Sequence, residues 1–396
     1  MKSFKYYTPT RVIFGVGTEE QTGEQLARLG AKKVIIVYGT GSVERSGLLN
    51  RVVNSVESAG IAYVLFGGAR PNPTVAHAEE GVRAAVENGV DSVLAVGGGS
   101  AIDTAKAVAH GAANPHLALW DIWISKAKIS KTLPIATILT IPAAGSEMSD
   151  SAVLTNTELG IKRGLSTDLN RPAFAIVNPA LASTLPLKQI ACGVSDILMH
   201  TLDRYFTHTK GNPLTDEIAE ALLRVTIDCG AKVYADPNDL DATGDLLWCS
   251  SVSHNGLTGL GAATDFVPHK MGHEVSAKYD VAHGESLTCL WGAWAEYSYA
   301  EEPERFQRFA NKVFGIDEPD AKKAALTGIR KMVAYFKSLG MPTNLKELNI
   351  GEISQTDIDG MAEASQRNNG AGFGEFKKIY LDDAKAIYAN ARNYSV

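Results

Sequence analysis

Along the first half of the chain, short apolar runs without polar alternation recur between stretches of helical spacing. Arg11–Phe14, Lys33–Tyr38, Ala62–Phe66, Ser92–Val96, Ile135–Leu139, Ala152–Leu154 and Ala173–Val177 read as strands. Amphipathic spacing over Glu19–Leu29, Gly47–Ala59 and Val75–Asn88 predicts helices between them. Strands that are apolar on both faces and separated by helices are what a covered parallel sheet requires. From about Leu185 the texture changes. Helical periodicity takes over, with helices expected near 187–206, 214–232, 241–258, 265–277, 302–314 and 319–339. The pattern predicts an α/β N-terminal domain with a parallel Rossmann-like sheet over 1–183, and an all-α C-terminal domain over 184–396. A chain of 396 residues is long enough for about two such cores.

Composition narrows the function classes. A net charge of −6 argues against a nucleic-acid binder, which needs a basic face to neutralise phosphates. No apolar stretch reaches the length of a membrane span, and the first residues lack a hydrophobic leader core, so a cytoplasmic protein is expected. Cys192, Cys229, Cys249 and Cys289 show no C-x-x-C spacing, which predicts reduced thiols rather than disulfides or a thiolate zinc site.

Two glycine-rich turns follow predicted strands. Gly97-Gly98-Gly99-Ser100 leads into a helix carrying Asp103 and Lys106. Glycines let backbone amides approach a pyrophosphate, and a helix N-terminus adds partial positive charge. The bland alternative is a tight turn with Ser100 as helix cap. Gly39-Thr40-Gly41-Ser42 closes an earlier strand that ends without a carboxylate. An acid there typically binds the 2′-hydroxyl of NAD and would repel the 2′-phosphate of NADP, so NADP(H) is expected over NAD(H). Capping of the following helix is the competing explanation for Thr40 and Ser42.

Of the nine histidines, His77, His110, His116 and His208 read as ordinary packing or surface residues. Asp196 and His200 stand at i, i+4 in a largely apolar helix, and His269 and His273 repeat that spacing, with His283 ten residues on. Such spacing puts side chains on one helix face. A buried carboxylate is costly unless it is paired or bound to a metal. One carboxylate among imidazoles suits Fe²⁺ or Zn²⁺ and lacks the oxygens that Ca²⁺ or Mg²⁺ demands. Spacing alone leaves open which histidine is spare.

The chain resembles the iron-containing (group III) alcohol dehydrogenases over essentially its whole length. The likeness is carried by Tyr7–Gly15, by Gly97–Lys106, by Pro142-Ala143-Ala144-Gly145-Ser146-Glu147, and by the set from Asp196 to His283. The likeness is greatest to the NADPH-dependent butanol dehydrogenase and broad aldehyde reductase branch, through Tyr38–Val43. The resemblance implies a dehydroquinate synthase-like fold and metal ligation by Asp196, His200, His269 and His283. It leaves His273 beside the site as a substrate or proton-relay residue. It also implies dinucleotide contacts at Gly39, Thr40, Ser42, Asn72, Gly98, Gly99, Ser100, Thr137, Thr140, Ser146 and Lys162, with Asp103 near the nicotinamide. The chain departs from common family usage at Asn178, where relatives often carry Asp, and at Ala143, where many carry Thr.

The expected activity is therefore metal-dependent, NADP(H)-linked interconversion of short-chain primary alcohols and aldehydes, of the butanol and butanal type. A homodimer or larger homo-oligomer is expected from family habit, with a small-molecule substrate and no nucleic-acid or membrane partner. The alternatives are a glycerol dehydrogenase, separable by assay with glycerol and NAD, and a dehydroquinate-synthase-like lyase. The lyase reading wants several basic residues for an anionic substrate, and only Lys162 and Arg163 are clearly placed for that. A non-catalytic metal- and nucleotide-binding regulator would bind NADPH without turnover.

Overall fold

The computed structural model describes all residues from Met1 to Val396. They form two compact units: Tyr7–Leu185 with Pro237–Ser251, and Met1–Tyr6 with Pro186–Asp236 and Val252–Val396.

The first unit is built on β1 (Arg11–Phe14), β2 (Lys33–Gly39), β3 (Ala62–Ala69), β4 (Ser92–Gly97), β5 (Ile135–Leu139) and β8 (Phe174–Val177). They make one six-stranded sheet in the order β1-β8-β5-β4-β2-β3, and every neighbouring pair is parallel. Alternate residues of the central strands feed two separate cores. Val34, Ile36, Leu94, Val96, Ile138 and Ile176 pack on one face, and Ile35, Val37, Val93, Ala95, Leu139 and Val177 on the other. Burial on both faces explains why these strands read as unbroken apolar runs. Pro237–Ser251 joins this unit because Leu247 inserts into the second core and Ser250 Oγ accepts from the Ala143 amide at 3.0 Å.

One expectation is corrected. Ala152–Leu154 is not a strand of the main sheet; β6 (Ser151–Asn156) pairs antiparallel with β7 (Ile161–Ser166) in a separate hairpin. Only Ala152 and Leu154 of β6 are fully buried, so this strand is half-buried and alternates. The sequence of β7, Ile-Lys-Arg-Gly-Leu-Ser, has no apolar run to mark it as a strand.

The second unit is helical. The six helices expected here occur at Leu187–Tyr205, Pro213–Ala235, Leu240–His254, Val267–Tyr279, Pro303–Phe314 and Ala321–Ser338, the third lying largely in the first unit. Three more, His283–Ser298, Gln355–Asn369 and Leu381–Arg392, complete it. His283–Ser298 is buried on almost every side, so its sequence lacks a polar stripe to mark its period. The core is aromatic. Phe206 stacks on Phe306 at 4.1 Å between ring centroids and meets Trp294, Phe309 and Phe376 edge-on. Each buried aromatic of this kind contributes roughly 1.5–3 kcal/mol through area removed from water. That core anchors the C-terminal end of Leu187–Tyr205, the helix that carries Asp196 and His200. No helix is long and apolar enough to cross a membrane, and all four cysteines are free.

Candidate metal and dinucleotide sites

Leu187–Tyr205 is buried from Ile190 to its end except at Cys192, so Asp196, His200 and Arg204, one turn apart, form a polar stripe inside apolar surroundings. Val267–Tyr279 brings His269 and His273, entering through Phe266 at φ 58° and Pro268 in the first turn. His283 opens the following helix, after Asp280 at φ 50° ends the previous one.

These elements converge. Ligand atoms of Asp196, His200 and His269 all lie within 4.8 Å of one another, and all three residues are buried. His283 Nε2 stands 3.8 Å from Asp196 Oδ1, the same separation as His269 Nε2. His273 is partly buried, and its ring centroid is 5.5 Å from that of His283.

Hydrogen bonds set the imidazole tautomers. His200 Nδ1 donates to the Asp196 carbonyl, 3.0 Å away in its own helix, which leaves the Nε2 lone pair free of its own proton. His269 Nδ1 donates to Asp203 Oδ2 at 2.5 Å, so its Nε2 also carries a lone pair. That Nε2 and Asp196 Oδ1 are both buried and make no hydrogen bond of good geometry, His200 Nδ1 standing 3.1 Å from that oxygen. Burial opposes ionisation of Asp196, but His200, His269 and His283 together outweigh it and hold the carboxyl well below its ordinary range. Burial likewise opposes charge on His269, and Asp203 and Asp196 outweigh it, raising that imidazole. His200 is lowered, first by burial, against the pull of Asp196.

Three residues of this neighbourhood carried no recognised sequence signal. Asp203 lies seven residues after Asp196, and Arg204 four after His200, so helical periodicity would have reached both. Arg204 donates to the His200 carbonyl at 2.7 Å and stacks over the Phe266 ring at 4.8 Å. His254, whose ring lies 4.1 Å from that of His200, ends a different helix and has no partner at helical spacing.

In the α/β unit, the helix Gly99–Ala113 starts with Gly98 as its N-cap, so Ser100 sits in the first turn and is not the cap. A Cβ on Gly98 would lie 2.2 Å from Ile141 Cγ2, so only glycine fits there. The first amides of this helix have no intrahelical partner and are disposed to meet an anion. Gly39 ends β2, Thr40 and Ser42 are exposed, and Gly41 turns at φ 113°. A Cβ on Gly39 would meet nothing closer than the Ala69 carbonyl at 3.6 Å, so packing does not demand glycine at 39. Thr137 is buried in β5, and Thr140 follows that strand.

The remaining candidates form one network. Asp103 accepts from Ser146 Oγ at 2.7 Å and from the Val153 amide at 2.9 Å, so both of its oxygens are taken. Lys106, which sequence spacing did not single out beyond the motif, is fully buried and donates to Ser146 O and Oγ and to Ser151 O at 2.7–2.9 Å. Burial lowers Lys106 from 10.5 to about 8 despite Asp103 and Glu147. Burial raises Asp103, partly offset by Lys106 and Ser146. Asn72, at φ 55°, accepts from Lys162 Nζ at 2.9 Å, tying the loop after β3 to β7.

Comparisons with known proteins agree with this architecture. The iron-containing alcohol dehydrogenase family model matches residues 9–179, and the C-terminal model of the Fe-containing alcohol dehydrogenase family matches 189–392. NADH-dependent butanol dehydrogenase A of Clostridium acetobutylicum is 38% identical over 98% of this chain and 99% of its own. The NADPH-dependent aldehyde reductase YqhD of Escherichia coli is 31% identical over 99% of this chain and 100% of its own. The crystal structure of NADH-dependent butanol dehydrogenase A from Thermotoga maritima superposes with a TM-score of 0.95 at 34% identity, covering 99% of both chains. The chain belongs to the iron-containing alcohol dehydrogenase family of alcohol and aldehyde oxidoreductases.

Proposed function

We propose that this protein is a metal-dependent, NADP(H)-linked alcohol dehydrogenase and aldehyde reductase acting on short-chain primary alcohols and aldehydes. The observation that carries the reading is the convergence of Asp196, His200 and His269, in which a buried carboxylate oxygen and a buried imidazole nitrogen lack hydrogen bonds of good geometry. Unsatisfied buried polar atoms cost about 1–3 kcal/mol each, and a cation between them removes that cost. The donor set therefore fits one divalent ion, Fe²⁺ or Zn²⁺, held by Asp196, His200, His269 and His283. When bound, such an ion supplies Lewis acidity to an alcohol or aldehyde oxygen, and a nicotinamide dinucleotide supplies or accepts the hydride.

The residues have separable tasks. Asp196 contributes the single negative charge of the set, and Asp203 orients His269 through its Nδ1–H. His273, beside His283, takes or returns the hydroxyl proton. In the α/β unit, the amides at the start of Gly99–Ala113 receive the pyrophosphate, with Gly98 allowing close approach. Thr137, Thr140, Asn72 and Lys162 line the dinucleotide path, and the Ser146–Asp103–Lys106 network holds its walls. NADP over NAD is supported by the missing carboxylate at Gly39. Arg45 Nη1 also folds back to within 3.2 Å of the Cβ position of Gly41, although Glu44 Oε2 lies equally near.

The test is to strip the protein with a chelator and follow NADPH and NADH oxidation with butanal, before and after anaerobic addition of Fe²⁺ or Zn²⁺. Activity that disappears, returns with one metal and favours NADPH bears out the reading. Equal rates before and after stripping remove the metal, and a preference for NADH removes the 2′-phosphate argument.

A further inference from the structure

His254 has no part in the reading above, yet its ring lies 4.1 Å from that of His200. Its Nδ1 is 2.7 Å from Arg204 Nη2. A guanidinium only donates, so Nδ1 accepts and the ring's hydrogen sits on Nε2. Arg204 is itself fixed, by its bond to the His200 carbonyl and its stacking on Phe266. The His254 ring is thus held beside His200 in one tautomer, with Arg204 on its Nδ1. It is partly exposed, whereas His200 and His269 are buried.

An oriented N–H donor on a partly exposed ring, next to a metal-ligand candidate, is suited to a polar group of the substrate. The separation of the two rings sets the donor aside from the point where His200 would hold an ion. We infer that His254 is a specificity-determining residue, whose Nε2–H donates to a second oxygen, hydroxyl or carbonyl, on the second or third carbon of the substrate. Arg204 acts through it, as a positioning residue. The inference rests on the dehydrogenase reading above and deepens its substrate class from plain short alcohols to oxygen-bearing ones. A site that hydrogen-bonds a substrate oxygen discriminates against the analogue lacking it more sharply than an apolar pocket discriminates between alkyl chains.

The test compares kcat/KM for 1-butanol, 1,2-butanediol and 1,3-butanediol in the metal-loaded wild type, His254→Leu and His254→Gln. Loss of one hydrogen bond lowers the diol-to-butanol ratio about tenfold in His254→Leu. His254→Gln, which keeps an N–H near the Nε2 position, restores most of it. An unchanged ratio, or an equal fall for all three alcohols, overturns the inference and leaves His254 a packing residue. A wild type that oxidises none of them overturns the dehydrogenase reading as well. Independently of turnover, ¹⁵N imidazole spectra of the metal-free protein, assigned by the signal missing from His254→Gln, report the tautomer. A neutral Nε2–H form is expected for His254, and an Nδ1–H form contradicts the geometry.

Discussion

Each unit buries a carboxylate together with cationic or imidazole nitrogens, and the two do so to opposite ends. In the α/β unit, Asp103 has both oxygens occupied by Ser146 and Val153, and Lys106 donates to several oxygens around it. In the helical unit, Asp196 Oδ1 and His269 Nε2 are just as buried and make no hydrogen bond of good geometry. The first network has its hydrogen bonds made within the protein, so it serves as architecture that holds the helix Gly99–Ala113 to the segment Ser146–Val153. The second is incomplete, and its lone pairs converge. Burial alone does not mark a reactive centre; burial with unsatisfied, converging lone pairs does.

The contrast is breakable from the α/β side first. Lys106→Met leaves several acceptors without their donor and is expected to destabilise the fold by about 3 kcal/mol while metal content stays full. Urea unfolding and elemental analysis together check this. Because burial sets Lys106 at about 8 in the folded chain against 10.5 ordinarily, its neutral form is favoured by folding. That contribution is present above pH 10.5 and fades as pH falls toward 8. The rise in wild-type stability over this window is therefore expected to flatten in Lys106→Met, and an identical rise in both proteins contradicts the assignment.

A smaller effect is expected at His273. With His273→Ala, turnover falls about a hundredfold while the metal remains, as for loss of one acid–base group. Loss of metal from this variant makes His273 a ligand and displaces His283 from the set. Smallest is Asp203→Asn, which keeps the shape but weakens the orientation of His269. Metal affinity, read by competition with a chromogenic chelator, is expected to drop roughly tenfold or somewhat more. Unaltered affinity leaves Asp203 as a packing group.

Much of this was legible in the sequence, for physical reasons. Strands buried on both faces announce themselves as apolar runs, which is why β2, β4 and β5 fall where expected. The i, i+4 spacing of Asp196 with His200 and of His269 with His273 is a property of the helix, so it needs no tertiary information. β7 was not legible because Ile161 and Leu165 are its only strongly apolar residues, and the residue it buries is the charged Lys162. His283–Ser298 was missed because burial all round erases its period. Lys106 had no visible acceptors until the chain brought Ser146 and Ser151 to it, some forty residues on. His254 is the clearest case: only folding sets it beside His200, and nothing in its local sequence marks it.

The most direct test of the incomplete network is the metal content of purified Asp196→Ala and His269→Ala beside the wild type, with circular dichroism to confirm the fold. The expected result is one divalent ion per wild-type chain, loss of the ion from both folded variants, and a fall in butanal reduction of about a thousandfold. Folded variants that keep a full complement of metal would contradict the account.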